Sequence, residues 1–73
     1  MKTEISQKVG QNIKRIRKER GLTQKEIAAE FKFTQQRYSR FETGMFELNY
    51  AQILKLCKIF NVTPTELLTI EDE

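Results

Sequence analysis

Gln35-Gln36-Arg37-Tyr38-Ser39-Arg40 sets two carboxamides and two guanidiniums within a single short run. A glutamine amide offers a donor beside an acceptor and matches the N6/N7 edge of adenine. An arginine fork matches the O6/N7 edge of guanine, and each bidentate pair is worth about 1–3 kcal/mol of discrimination between bases. Glutamine and arginine are also ordinary helix formers. The run therefore acquires this chemistry only if a helix presents it outward at a groove of duplex DNA.

Such a helix is written into the flanking residues. Thr23-Gln24-Lys25-Glu26 is a capping box, in which the threonine hydroxyl takes an orphan backbone N–H and the glutamate reaches back to the cap. The helix it opens turns Ile27, Ala28 and Phe31 inward, with Ala28 small enough for a steep crossing by a second helix. Thr34 caps that second helix, which ends before Gly44. Tyr38 and Phe41, three apart, are expected to face helices 2 and 4, which leaves Gln35, Gln36, Arg37, Ser39 and Arg40 on the open side. Two short helices joined by a turn of about three residues, over 24–43, form a helix-turn-helix, whose second helix enters the major groove by its N-terminal end. Gln24, at the start of the first, stands where a side-chain amide and a backbone N–H together grip a phosphate.

Three further helices complete the pattern. Ile5, Val9, Ile13 and Ile16 form one apolar stripe, predicting helix 1 from about Ile5 to Arg20 with Gly21 as its left-handed terminator. Asn49 is the expected cap of helix 4, whose apolar face comprises Ile53, Leu54, Leu56, Cys57 and Phe60, with Asn61 as its stop. Thr63-Pro64-Thr65-Glu66 is another capping box with proline at the first helical position, leading into Leu67 and Leu68. No stretch alternates with period two. Linkers of two to five residues then predict a compact, all-α, five-helix single domain over residues 1–73.

Composition bounds the rest. The 73 residues hold one cysteine, Cys57, and no histidine, so neither a disulfide nor a zinc site is expected within one chain. Nothing converges as nucleophile, base and oxyanion donor, so no enzyme and no cofactor are expected. Cys57, on an apolar helix face, reads as a small buried hydrophobe. No apolar run approaches membrane-spanning length and Met1-Lys2-Thr3-Glu4 leads into no signal core, so the chain reads as cytoplasmic with no membrane partner. The net charge of +3 divides into +6 over residues 1–44 and −3 over residues 45–73, the latter ending in the acidic run Glu71-Asp72-Glu73 (71–73). A basic half coinciding with a helix-turn-helix suggests a phosphate-facing surface, although charge alone fits a solvated helix face equally well.

From about Ile13 to Leu68 the chain resembles the Cro/C1-type (XRE) helix-turn-helix domain. The resemblance rests on Ile13-Lys14-Arg15-Ile16-Arg17, Gly21-Leu22-Thr23-Gln24, Ile27-Ala28, Ser39-Arg40-Phe41-Glu42 with Gly44, and Asn61-Val62-Thr63-Pro64-Thr65-Glu66-Leu67-Leu68. It implies a lambda-repressor-like fold over 13–68, and Thr34-Gln35-Gln36 is similar to the opening of the recognition helix in certain lambdoid phage repressors. It further implies that Gln24 touches phosphate and that Gln35, Gln36 and Arg40 approach base edges, with Arg37 beside them. Lys32, Thr34, Ser39 and Thr43 are expected to contact phosphate. Arg17 and Glu42 are implied to form a structural ion pair.

Four positions depart from the family pattern. Lys32 stands where glycine is usual in the turn, so the turn is expected either to distort or to keep Lys32 for phosphate. Leu48 replaces a usual proline, and Met45 and Phe46 replace polar or basic loop residues. Apolar side chains in a surface loop hint at a covered face, and Phe46, Leu48, Tyr50, Leu68 and Ile70 are the candidates for a two-fold contact in a homodimer. The leading expectation is a transcriptional repressor binding double-stranded DNA at a short palindromic operator. The alternative is an antitoxin or other interaction module whose main partner is a protein such as a toxin. No small-molecule effector is expected.

Overall fold

A hydroxyl or amide cap opens every helix. In a computed structural model describing residues 3–70, Thr3, Thr23, Thr34, Asn49 and Thr63 each accept a backbone N–H from the residue three positions on. They begin α1 (Glu4–Glu19), α2 (Gln24–Phe31), α3 (Gln35–Glu42), α4 (Tyr50–Phe60) and α5 (Pro64–Leu68). Four of these starts are reciprocal boxes, closed by Ser6, Glu26, Gln52 and Glu66. The first helix begins one residue earlier than its apolar stripe suggested, because the Thr3–Ser6 box satisfies its first turn. The acidic run Glu71-Asp72-Glu73 lies outside the described residues.

Left-handed residues follow four of the helices. Gly21 comes after α1 at φ +69°, Lys32 ends α2 at φ 59° and ψ 36°, Gly44 comes after α3 at φ +83°, and Asn61 ends α4 at φ 57°. Lys32 therefore takes the conformation that glycine would, and the turn keeps its geometry. Its N–H and that of Phe33 bond back to Ala29 and Ala28 at 3.1 and 2.9 Å. A side chain in this region costs about 1–2 kcal/mol, partly offset because glycine loosens the unfolded chain. Lys32→Gly should therefore stabilise the fold by about 0.5–1 kcal/mol, seen as a higher urea midpoint at unchanged slope.

Ile13, Ile16, Ile27, Ala28, Tyr38, Leu56, Cys57, Phe60 and Leu67 make one continuous core, in which each large apolar side chain contributes about 1.5–3 kcal/mol. α5 bridges α1 and α4, and α3 packs against α2, as expected, but its second neighbour is α1 rather than α4. Phe41 instead stacks on Phe33 at 5.9 Å and meets Phe46 edge-on at 5.5 Å, so the segments flanking α3 supply its wall. Two residues assigned inward are exposed, Ile5 at 67% and Leu54 at 62%. The α3–α4 connection, residues 43–49, is longer than the expected two to five.

The seam between α1 and α3 is built on small residues. A Cβ placed on Gly10 would lie 2.4 Å from the Glu42 carbonyl oxygen and 2.6 Å from that of Phe41. Ser6, one turn earlier, is buried and donates to the Gly44 carbonyl at 2.7 Å. Mid-helix glycine costs about 1 kcal/mol against alanine, and here the close approach of two backbones explains it. Gly10→Ala should nonetheless destabilise by about 1–3 kcal/mol, because neither carbonyl can yield without moving α3. Chemical denaturation of the two proteins checks this.

Candidate nucleic-acid interface

The outward side of α3 is held from beneath by a buried polar cluster. Tyr38 and Phe41 are 1% and 5% exposed, which fixes the helix's rotation and leaves Gln35, Gln36, Arg37 and Arg40 exposed and Ser39 half-buried. At its last turn Glu42 points inward. Arg17 Nε donates to Glu42 Oε2 at 2.6 Å and Nη2 to Oε1 at 3.2 Å, while Nη1 reaches the Leu22 carbonyl at 2.8 Å. This ties α1 at once to α3 and to the approach to α2. The pair is buried on both sides.

Electrostatics follow from that enclosure. Burial alone would raise the Glu42 carboxyl, but hydrogen bonding from Arg17 and Gln24, with the Tyr38 hydroxyl close by, outweighs it and holds the group below its usual range. Burial, reinforced by the adjacent carboxylate, pushes the Tyr38 phenol well above its ordinary value. That hydroxyl is buried without a hydrogen bond of good geometry. The Cys57 thiol is raised by burial. It stays a packed apolar group.

Gln24, Gln35, Gln36, Ser39, Arg40 and Thr43 line one shallow, open depression across the N-terminal end of α2 and the outer side of α3. Residues from two helices thus share one surface, because Ala28 and the three-residue turn at 32–34 let the helices cross closely. Gln24 is already engaged at both ends: its Nε2 donates to Glu42 Oε1 at 3.0 Å, and its Oε1 receives Gln35 Nε2 at 3.5 Å. Thr43 donates its hydroxyl to the Arg40 carbonyl at 3.2 Å.

Other candidate residues lie apart from this depression. The Arg37 guanidinium sits 3.9 Å from the centre of the Phe33 ring and faces a second shallow groove with Phe46, Asn49 and Gln52. Lys32 and Thr34 are exposed in the turn. Arg40 passes within 5.7 Å of the Phe46 ring. Phe33 was not singled out from the sequence, yet it carries Arg37 on one face and continues the ring stack from Phe31 to Phe41.

Of the residues expected at a two-fold contact, Phe46, Leu48 and Leu68 line an apolar groove of about 430 Å³ with Ile5, Val9 and Ile53. Tyr50 is 87% exposed at the start of α4. Ile70 lies instead in a polar cleft beside Asn12 and Arg15. Among the described residues, no helix is long and apolar enough to cross a membrane.

A family model for the helix-turn-helix domain matches residues 10–73. An uncharacterized HTH-type transcriptional regulator, y4dJ of Sinorhizobium fredii, is 38% identical over 65 residues, covering 89% of this chain and 84% of that protein. Among solved structures, the restriction-modification controller protein C.AhdI from Aeromonas hydrophila superposes with a TM-score of 0.75 at 28% identity, covering 84% of this chain and 92% of that one. The DNA-binding domain of BldD from S. venezulae gives 0.78 at 19% identity over 92% of this chain and all of that one, a likeness of fold alone.

Proposed function

Because the chain belongs to the helix-turn-helix family, as a DNA-binding regulator related to the Cro/C1-type domains and not a catalyst, we propose that it represses transcription by occupying a short palindromic operator as a homodimer. The single observation that supports this most is the open depression joining Gln24 to Gln35, Gln36, Ser39, Arg40 and Thr43. In this reading α3 enters the major groove by its N-terminal end. Gln35, Gln36 and Arg40 meet base edges, while Gln24 and Thr43 flank them at phosphates. Arg37, stacked on Phe33, serves at the margin of the site. Lys32, Thr34 and Ser39 supply the remaining backbone contacts.

One such domain reads only a few base pairs, and pairing two supplies the missing length. The apolar groove of Phe46, Leu48 and Leu68 supports a two-fold contact, which would set half-sites roughly 34 Å apart. Selection from a random duplex pool should return a palindrome with that spacing. Gln35→Ala and Gln36→Ala should each relax preference at one position by about 1–3 kcal/mol while leaving binding to unrelated duplex nearly unchanged. Equal losses on every sequence would mean that these amides do not read bases.

A further inference from the structure

A carboxylate only accepts hydrogen bonds, whereas a glutamine amide has a donor end and an acceptor end. Glu42 therefore dictates which end of Gln24 turns inward. Gln24 Nε2 meets Glu42 Oε1 at 3.0 Å, and its own oxygen is left facing Gln35 Nε2 at 3.5 Å, the longest link of the chain. The carboxylate itself cannot rotate away, because Arg17 grips both its oxygens in the interior. An unconstrained surface amide presents either end with similar ease, and ordering it on binding costs affinity. Here the order is already imposed from the core.

We propose that Glu42 is a positioning residue for base selection: held by Arg17, it sets the amide polarity of Gln24 and, through Gln24, that of Gln35. This rests on the reading of α3 as the base-contacting helix. It gives the buried pair a second role beyond tying α1 to α3, since the same carboxylate that closes the core also orders the readout surface. Gln36, which has no such link to the cluster, should not depend on it.

Two variants separate selectivity from stability. Arg17→Lys keeps the carboxylate and a cation, so it should retain base preference at the Gln35 position even though the fold is weakened. Arg17→Met combined with Glu42→Met removes both charges together, a replacement that is often neutral for folding, but it also removes the acceptor. Its discrimination at that position should fall from the roughly five- to 150-fold that a bidentate contact supports to the level of Gln35→Ala, with preference at the Gln36 position retained. Unchanged discrimination in the double variant would overturn the positioning role while leaving base readout intact. If Gln35→Ala, made with Arg17 and Glu42 intact, changes no preference, the underlying reading fails instead. Should the double variant fail to fold, amide exchange in the wild-type protein still decides the matter. The Gln24 side-chain protons should exchange more slowly than those of exposed Gln36, and equal rates would overturn the proposal.

Discussion

Glu42→Ala should remove about 3–5 kcal/mol of folding stability. The reason lies in what remains. Arg17 is only 8% exposed, so its guanidinium would stay in the interior without a counter-charge, held by the Leu22 carbonyl. Gln24 would lose its acceptor as well. A domain of this length is stable by only about 4–11 kcal/mol, so the variant should be substantially unfolded near physiological temperature. Urea denaturation of the wild-type and variant proteins measures the difference directly.

The same carboxylate makes stability depend on pH, and the sign is set by its depressed pKa. Arg17 stays charged throughout the range, so only Glu42 titrates within the pair. Its contribution is fully present above the unfolded value near 4.5 and is lost as pH falls through the lower folded value. The melting temperature should thus decline in acid below about pH 4.5. In a Glu42→Gln protein the acid-dependent share from this site should be absent, although its stability at neutral pH will be lower. An identical acid decline in both proteins would show that other carboxylates cause it.

Local chemistry is what the sequence exposed best. The caps at Thr23, Thr34, Asn49 and Thr63 and the stop at Asn61 depend on neighbours within one turn, so residue type and spacing suffice to place them. Depth is another matter. Periodicity put Ile5 and Leu54 on apolar faces, but it carries no information on whether another element covers that part of the face, and both are exposed. Gly10 went unread although a glycine in mid-helix is itself a signal of close backbone approach. The links from Glu42 to Gln24 and from Gln24 to Gln35 span 18 and 11 positions, so only the folded chain brings them together. Arg37 shows the same limit: its type suits a base edge, but the ring it stacks on is placed by the turn between α2 and α3.

Raising salt from about 50 to 200 mM should weaken binding to duplex DNA by roughly a thousand- to a hundred-thousand-fold, as expected when about six to ten phosphates are neutralised and their counterions released. The charge to do this is concentrated where it is needed: residues 1–44 carry a net +6, and Lys25, Lys32, Arg37 and Arg40 are exposed along the two helices of the motif and their turn. Anisotropy titrations with a labelled duplex give the slope of log affinity against log salt. Selectivity is a different quantity. Base contacts of Gln35 and Gln36 release few counterions, so the ratio of cognate to random affinity should change far less with salt than either affinity alone. The two readings of this chain also part here. A protein whose main task is to mask an apolar partner through the groove of Phe46, Leu48 and Leu68 would hold that partner at least as tightly in high salt, since burial of apolar surface carries no counterion cost. A flat profile on DNA would therefore count against a phosphate-facing α2–α3 surface, whatever the shape of the fold.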